Sequence, residues 1–249
     1  MSSGVVAGRL RPVARRVLVL DVGGSHVKVA FSDSPHEIKI LTGPRMTPGR
    51  LMRRVVRAVQ GESFDAVSIG YPGLVVRGRI ARDPAHLGPG WVGFNFERAL
   101  DHPTRIVNDA VLQALGSYRG GRMLFLSLGT GLGSALILDG TLAPLELAHL
   151  PYKKGREIEE FVGEIGLERL GRKKWEKEVF TVVDLFERAL EPDYVVLGGG
   201  NVYKLKRLPP HSELSDNHAV IVGGARLWDD TTSAPSEARS GPSSVPVAR

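Results

Sequence analysis

RVLVLDVGGSHVKVAFS, residues 16–32, is the stretch that decides the fold class of this chain. An apolar run ends at Asp21, two glycines follow, and apolar and polar residues then alternate. This pattern predicts a buried strand, a tight turn and a hairpin partner. The second half of the chain repeats it in MLFLSLGTGLGSALIL, residues 123–138. Two such halves predict a duplicated α/β fold with a cleft between two lobes.

The remaining segments fit two α/β lobes, although the halves share no strong sequence identity. We predict a small N-terminal lobe over 17–109 and a larger C-terminal lobe over 110–230. The ends, 1–16 and 231–249, are predicted to be a flexible arm and a disordered tail. The other expected elements follow in chain order: strand EIKILTG (37–43), helix PGRLMRRVVRAVQG (48–61), strand DAVSIGYPG (65–73), a loop-rich stretch (71–98), strand-to-helix TRIVNDA (104–110), a mostly helical stretch (156–190), strand YVVLGGGN (194–201) and helix AVIVGGARLW (219–228).

The composition is that of an ordinary soluble globular protein, with 42% apolar and 24% charged residues. The chain contains no apolar run of about eighteen residues, which is the length that marks a membrane span. Its N-terminus lacks the apolar segment of a signal peptide, so we expect a cytoplasmic protein. The absence of cysteine excludes disulfides and thiolate metal sites.

The net charge of +6 hints at an anionic partner, but its distribution weakens the hint. Without the two ends, the chain has 27 basic and 26 acidic residues. Three local basic clusters remain, and each is either a solvated face or a guide for a polyanion. The clusters are Lys153, Lys154 and Arg156; Arg172, Lys173, Lys174 and Lys177; and Lys204, Lys206 and Arg207.

The first glycine-rich turn, DVGGSHVK, has the residues of a phosphate-binding site. Gly23 and Gly24 permit positive φ and let backbone amides approach an anion. Asp21 could hold a hydrated Mg²⁺ ion, and Ser25 and Lys28 could reach a phosphoryl group. The spacing is not that of a Walker A loop, and an ordinary hairpin turn with a surface lysine explains the motif equally well.

Two further glycine motifs follow later in the chain. Gly129, Thr130 and Gly131 offer a hydroxyl and several amides to a phosphate, although a plain tight turn fits them as well. Three consecutive glycines, Gly198 to Gly200, follow an apolar run, and they cost conformational entropy. We expect them to be required by the close approach of a ligand.

Asn108-Asp109 follows the apolar run TRIV and precedes a helical pattern. Asp109 is the first candidate for chemistry, although either residue could simply cap the helix. Glu146 and His149 lie three residues apart. The pair suits hydrogen bonding to a polyol, because metal binding would need a third ligand that the sequence does not locate.

Taken in order, these motifs resemble the ROK family of sugar kinases, and within it the polyphosphate glucokinases. The resemblance covers residues 17 to about 230, and the ordered combination is far more specific than any single motif. The matching motifs are DVGGSHVK (21–28), YPG (71–73), GPGW (88–91), NDA (108–110), GTGLGSAL (129–136), ELAH (146–149) and LGGGN (197–201).

The resemblance implies an α/β, actin-like and hexokinase-like (ribonuclease H-like) fold with two lobes that close on the sugar. It makes Asp109 the catalytic general base that deprotonates the 6-hydroxyl of glucose. The implied sugar-binding residues are Asn108, Glu146, His149 and Glu159, with Glu160 as the alternative to Glu159. The implied phosphate-binding residues are Asp21, Gly23, Gly24, Ser25, Lys28, Gly129, Thr130, Gly131, Gly198, Gly199 and Gly200, and Asp21 would also hold the Mg²⁺ cofactor.

The chain departs from the family pattern at several positions. The cysteine-rich zinc motif of many members is missing, and KKGREIE stands in its place. Ala148 replaces a glycine beside His149, and His86 stands where related glucokinases often have asparagine. His26 replaces a small residue beside the first turn. None of these changes removes the predicted base.

We therefore predict a kinase that phosphorylates glucose with inorganic polyphosphate, with ATP left open as an additional donor. The basic clusters would suit a phosphate chain. The alternatives are an ATP-dependent ROK hexokinase acting on another hexose, and a non-catalytic sugar-binding regulator. Only sixteen residues precede the first strand, fewer than a helix-turn-helix domain needs, which disfavours the regulator. We expect a homodimer, with neither nucleic acid nor membrane as a partner.

Overall fold

The computed structural model describes residues 15–216 and 218–229, which form two compact units. The first unit contains residues up to Gly116 together with the segment 217–228. The second contains 117–216 and Asp229. These divisions differ from the predicted lobes, because the helix after Asn108 and the last helix of the chain both pack with the first unit. The predicted tail and most of the predicted arm lie outside the described residues.

The first unit is built on a five-stranded sheet in the order β3-β2-β1-β4-β7. β1 and β2 form the predicted hairpin, β3 extends it antiparallel, and β4 and β7 run parallel to β1. A small separate hairpin, β5–β6, lies in the stretch predicted to be loop-rich. The strands are β1 Val17–Val22, β2 His26–Phe31, β3 Glu37–Leu41, β4 Ala66–Tyr71, β5 Val75–Val76, β6 Arg79–Ile80 and β7 Thr104–Asn108.

Helices cover this sheet with the apolar faces that the sequence predicts. The helix α1, Pro48–Ala58, buries Leu51, Met52 and Val55, and Thr47 caps its N-terminus through a hydrogen bond to the Arg50 amide. The short helix α2 spans Phe96–Leu100, and α3 spans Asp109–Ser117. Arg16, which we placed in the flexible arm, instead pairs with Asp33 and Glu62 at the start of β1.

The second unit repeats the arrangement with the order β10-β9-β8-β11-β12. β8 and β9 form the second predicted hairpin, and β11 and β12 run parallel to β8. Their bounds are β8 Arg122–Leu128, β9 Leu132–Leu138, β10 Thr141–Leu145, β11 Tyr194–Gly198 and β12 Ser212–Leu214. The strands β10 and β12 were not predicted, because TLAPL and SEL are too short to show a pattern.

The predicted helical stretch consists of α4 Glu159–Val162, α5 Glu164–Leu170 and α6 Arg172–Leu190. α6 buries Trp175, Val179 and Phe186 in the core of this unit. Short 3-10 helices lie at Leu147–His149, Lys153–Gly155 and Val202–Lys204. The predicted fold class, a mixed α/β protein with a duplicated sheet, is confirmed.

The last described helix, α7 Ala219–Arg226, packs on β1 and β4 of the first unit. A Cβ on Gly224 would lie 2.5 Å from Val19, and Ser68 donates its hydroxyl to the Gly224 carbonyl at 2.7 Å. Its helical pattern was predicted, but not the sheet that it covers. No helix within the described part of the chain is both long and apolar enough to cross a membrane.

Candidate active site

Asp21 lies at the end of β1 beside the first glycine turn, where it faces Lys28 across the hairpin. The Lys28 ammonium is 3.9 Å from Asp21 Oδ2. Burial raises the pKa of Asp21, and the positive charge of Lys28 opposes this shift only in part. The oxygens of the Asp21 carboxylate are of the kind that a hard metal ion prefers as ligands.

The glycines of this turn are required for space rather than for positive φ. Neither Gly23 nor Gly24 uses the positive φ that glycine permits. A Cβ on Gly23 would lie 2.8 Å from the His26 carbonyl, to which the Gly23 amide donates at 2.9 Å. A Cβ on Gly24 would lie 3.3 Å from His86. The turn is therefore tight, and Ser25 at its tip is exposed.

Asp109 is the first residue of α3 and follows β7 directly. Burial, together with the smaller effect of the negative charge of Asp21, raises the pKa of Asp109 to about 7. Hydrogen bonds to the carboxylate, including one from the Ala110 amide at 2.8 Å, offset only part of this effect. The side chain reaches solvent with part of its surface, although protein atoms surround the carboxylate closely.

Gly70 of β4 lets Asp109 come this close to the sheet. It lies between Asp21 of β1 and Val107 of β7 in the strand register. A Cβ on Gly70 would lie 3.4 Å from the Asp109 Cα and 2.8 Å from Leu112. The glycine thus leaves room for the first turn of α3 above the strand.

Asn108 does act as a cap, as the alternative reading held. Its Oδ1 accepts from the Ala110 amide at 2.9 Å, and its Nδ2 donates to the Gly73 carbonyl at 3.1 Å. One hydrogen of the side-chain amide remains available, because the group has two. The cap fixes the orientation of Asn108 and the start of α3 together.

The loop before Trp91 is held by Asp83, which the sequence analysis did not single out. Its carboxylate accepts hydrogen bonds from the amides of Gly90, Trp91 and Val92. These bonds lower the pKa of Asp83 and keep it ionised. The same loop contains His86, whose side chain lies next to Gly24. By holding the loop, Asp83 helps to position this histidine beside the glycine turn.

In the second unit, the turn Gly129–Gly131 closes the β8–β9 hairpin. The Gly129 amide donates to the Gly131 carbonyl at 3.1 Å, and Thr130 is exposed at the tip. The Thr130 carbonyl accepts from the Glu164 amide at 3.1 Å. A Cβ on Gly131 would lie 2.6 Å from Glu159 Oε2. Because Gly131 has no side chain, the turn can lie close to the segment that contains Glu159.

The third glycine motif packs against β8. Gly199 has φ +82°, and a Cβ there would lie 2.3 Å from the Leu128 carbonyl oxygen. Gly200 has open space around its Cβ position. The close approach of the Leu128 backbone accounts for the missing side chain at Gly199, and the expected ligand contact of the three glycines stays a prediction. Gly198 ends β11 and is buried.

Asn201 links the second and third glycine motifs, and its place directly after Gly200 was its one signal in the sequence. Its buried side chain donates to the Gly129 carbonyl at 2.9 Å and to Glu164 Oε2 at 2.6 Å. The hydrogen bond from Asn201 lowers the pKa of Glu164, and Lys204 adds to the effect. The two turns are therefore held by one polar network.

His149 lies in a group of carboxylates. Its Nδ1 is 2.8 Å from Glu157 Oε2, and its Nε2 is 4.0 Å from Glu146 Oε2. The hydrogen bond to Glu157 raises the pKa of His149, and the charges of Glu159 and Glu146 add to the shift. The sequence analysis missed Glu157, because nothing in its spacing relates it to His149.

The two candidate sugar glutamates have different surroundings. Glu160 accepts the Glu157 amide at 3.0 Å and so is occupied with the backbone. Glu159 lies with His149 and Glu157, with one possible ligand atom from each within 4.8 Å of the others. The structure thus contains a group of three possible metal ligands that the sequence did not locate, but it consists of His149, Glu157 and Glu159 and does not include Glu146. This arrangement favours Glu159 over Glu160.

No family model matches the chain. A curated relative, the polyphosphate glucokinase of Mycobacterium tuberculosis, is 31% identical over 228 aligned residues, covering 83% of this chain and 84% of that protein. The chain belongs to the ROK family of sugar kinases. This ROK chain is also 29% identical to the polyphosphate glucokinase of Mycobacterium leprae, covering 83% of this chain and 69% of that protein.

Solved structures agree with the ROK assignment at the level of fold. A polyphosphate/ATP-glucomannokinase from Arthrobacter sp. strain KM has a TM-score of 0.72 at 24% identity, covering 86% of this chain and 98% of the other. A ROK glucokinase from Streptomyces griseus, in complex with glucose and AMPPNP, has a TM-score of 0.68 at 15% identity, covering 85% and 98%. Both therefore share the hexokinase-like fold of this ROK chain.

Proposed function

We propose that this ROK chain is a glucose kinase that transfers a phosphoryl group from inorganic polyphosphate, and also from ATP, to the sugar 6-hydroxyl. The observation that carries the proposal is the carboxylate of Asp109, whose pKa is raised to about 7 at the start of α3. A general base works best when its pKa lies near the operating pH. The relatives named polyphosphate glucokinase support the choice of sugar and donor.

Asp109 takes the proton of the 6-hydroxyl as that oxygen attacks the terminal phosphorus of the donor. The oxygen–phosphorus bond forms, the bond to the remaining phosphate chain breaks, and the chain leaves with its electron pair. Because such a transition state is loose, the protein contributes mainly positioning and charge neutralisation. Asn108, which is fixed by its two hydrogen bonds, positions a sugar hydroxyl with its remaining amide hydrogen.

The donor set of the first unit fits a divalent cation. Asp21 and Asp109 are both half-buried carboxylates with raised pKa values, and the charge of Asp21 disfavours the ionised form of Asp109. A hard cation with oxygen ligands relieves this repulsion. Asp21 would hold Mg²⁺, which neutralises phosphate charge when bound. Lys28, 3.9 Å from Asp21, supplies a second positive charge.

The phosphate-binding roles belong to the glycine turns. Gly23, Gly24 and Ser25 offer backbone amides and a hydroxyl in the first unit. In the second unit the corresponding residues are Gly129, Thr130 and Gly131, with Gly198, Gly199 and Gly200 behind them. The hydrogen bonds of Asn201 to Gly129 and Glu164 hold the two turns of the second unit together. The glycines of these turns are therefore pre-organised for a phosphate.

The sugar-binding roles belong to Glu146, His149 and Glu159. Carboxylates and an imidazole are suited to accept and donate hydrogen bonds to neighbouring hydroxyls of a hexose. Glu157 acts as a positioning residue, because its bond to His149 Nδ1 leaves Nε2 for the sugar. In this chain Glu157 belongs to the KKGREIE segment that stands in place of the family's zinc motif.

A coupled assay for glucose 6-phosphate tests the proposal. Purified chain is given glucose, Mg²⁺ and either long-chain polyphosphate or ATP, and the two kcat/KM values are compared. We expect turnover with both donors and a higher kcat/KM with polyphosphate. A strong preference for ATP would overturn polyphosphate as the donor. Turnover with another hexose and none with glucose would overturn glucose as the sugar.

The remaining expectations stay predictions. A homodimer is to be checked by light scattering, and the cytoplasmic location by fractionation. Neither nucleic acid nor membrane is needed for the proposed reaction.

A further inference from the structure

A wide basic groove lies on the second unit, along the N-terminal half of α6. Its volume is about 960 Å³, far more than a single phosphate fills. One wall is the first part of α6, and the other is the segment after the 3-10 helix Val202–Lys204. The structure thus joins two basic clusters that are separate in the sequence. The basic lining residues are Arg172, Lys173, Lys177, Lys206 and Arg207.

These five cations are not neutralised by the protein. Glu176 is the one acidic residue of the lining, and one of its oxygens accepts the Lys206 amide at 2.9 Å. Among the described residues, none of the five basic side chains forms an ion pair. Nearby lysines do: Lys153 is 2.7 Å from Glu178, and Lys204 is 3.4 Å from Glu164. The groove therefore carries a concentrated positive potential.

The helix itself adds to this potential. α6 has 19 residues, and its first turn contains no acidic side chain and no side-chain cap. The partial positive charge of its N-terminus is thus added to those of Arg172 and Lys173. The groove suits a ligand with many negative charges in a row.

The lining argues for a phosphate chain without bases. Single-stranded nucleic acids bind basic grooves mostly through bases stacked on exposed aromatic rings. The only aromatic residue among the lining residues of this groove is Phe180, and the guanidinium of Arg207 lies over its ring at 5.0 Å. The ring is therefore covered by a cation.

A chain of polar contacts links the wall of the groove to the third glycine motif. Arg172 donates through Nε to the Lys204 carbonyl at 2.6 Å. Lys204 in turn bonds Glu164, which holds Asn201 directly after Gly200. One connected set of side chains therefore links the glycine turn to the wall of the groove.

We propose that this groove binds the distal part of an inorganic polyphosphate chain whose terminal phosphate reacts. The assignment rests on the proposed function, because it needs polyphosphate as the donor. The three basic clusters of the sequence therefore do not share one role. Lys153 of the 153–156 cluster is paired with Glu178 and does not line the groove. ATP has only three phosphates, so we expect it to depend less on the groove than a long chain does.

The test measures binding and turnover separately. Binding of fluorescently labelled long-chain polyphosphate is measured by fluorescence anisotropy in the absence of glucose. Two double variants are compared with the parent: Lys173→Gln/Lys177→Gln and Lys206→Gln/Arg207→Gln. All four side chains are exposed, so the fold is retained. Both the Kd and the KM for long-chain polyphosphate should rise about tenfold, as two lost surface charge contacts imply. The KM values for ATP and tripolyphosphate should stay within about twofold.

A matched control lies on the first unit, where α1 borders another basic groove of about 710 Å³. Arg53→Gln/Arg57→Gln removes two exposed charges at the same four-residue spacing on a helix. An equal loss in this variant would show a general charge effect and overturn the assignment, as would unchanged binding in the groove variants. Polyphosphate binding that depends on the groove without any turnover would support the groove and overturn the proposed donor.

Discussion

The two hairpins that open the two sheets have the same topology and different chemistry. In each unit the hairpin is extended by one antiparallel strand and flanked by two parallel strands. The second residue pair from the turn is Asp21 with Lys28 in the first unit. In the second unit it is Ser127 with Gly133. One hairpin thus ends in an ion pair and the other in neutral residues.

This difference teaches that a repeated backbone does not imply a repeated role. The charged hairpin lies in the unit that contains Asp109, whereas the neutral hairpin lies against Glu159 and the Asn201 network. We infer that the first unit supplies the base and the metal ligand, and that the second supplies neutral phosphate contacts. The predictions below test this division of roles.

The largest effect is expected for Asp109→Asn. Loss of the base should lower kcat by about 10²–10⁴-fold with both donors, while glucose binding measured by calorimetry persists. Asp139→Asn is the control, because Asp139 is exposed in the β9–β10 turn. Turnover within about tenfold of the parent would rule out Asp109 as the base.

The comparison between the hairpins is tested directly by Asp21→Asn and Ser127→Asn. Loss of the metal ligand should lower kcat/KM on the order of a hundredfold and raise the Mg²⁺ concentration needed for half-maximal rate. Ser127→Asn should change kcat/KM by less than about threefold. Equal effects of the two substitutions would contradict the division of roles.

Asp109 should also control the pH dependence. Activity needs its ionised form, so kcat/KM should fall about tenfold per pH unit below the pKa of about 7. The folded chain holds this proton up to about pH 7, whereas the unfolded chain releases it near pH 4. The free energy of unfolding should therefore fall as the pH rises between these values.

Denaturation of Asp109→Asn at several pH values checks the sign. The variant should be more stable than the parent by about 1–3 kcal/mol at pH 8, because it removes a half-buried charge, and the difference should shrink at pH 5. A difference that does not change with pH would show that Asp109 ionises normally.

The smallest effect is expected for Glu157→Gln. Weakening the bond to His149 should raise the KM for glucose roughly fivefold while kcat stays nearly constant. The pKa of His149, followed by NMR, should fall, because its largest raising contact is weakened. Glu168→Gln, at an exposed position on α5, is the control. A fall in kcat with an unchanged KM would contradict a positioning role.

Local patterns predicted the elements that carry the site. The hairpins, the strand before Asn108 and the helix after it follow from apolar periodicity and from the positions of glycines. At Gly23 and Gly24 the sequence could not show the contacts with His26 and His86, because it shows that a side chain is absent but not which neighbour needs the space. Positive φ is in fact found at Gly199.

Residues that act through distant partners could not be predicted. Glu157 and Asn201 gain their roles from His149 and Glu164, and Asp83 gains its role from the amides before and after Trp91. The final helix shows the same limit at a larger scale. Its pattern predicts a helix with apolar residues, but small residues such as Gly224 decide which sheet it fits.

The return of α7 to the first sheet has a consequence for synthesis on the ribosome. The sheet of the first unit precedes the second unit in the chain, yet it lacks the cover over Val19 and Ser68 until residues 219–228 are made. Residues 117–216 are contiguous and leave the ribosome before α7. The unit whose sheet is translated first is thus completed last. A chain released before residue 219 exposes the apolar face of this sheet, and chaperones recognise such surfaces.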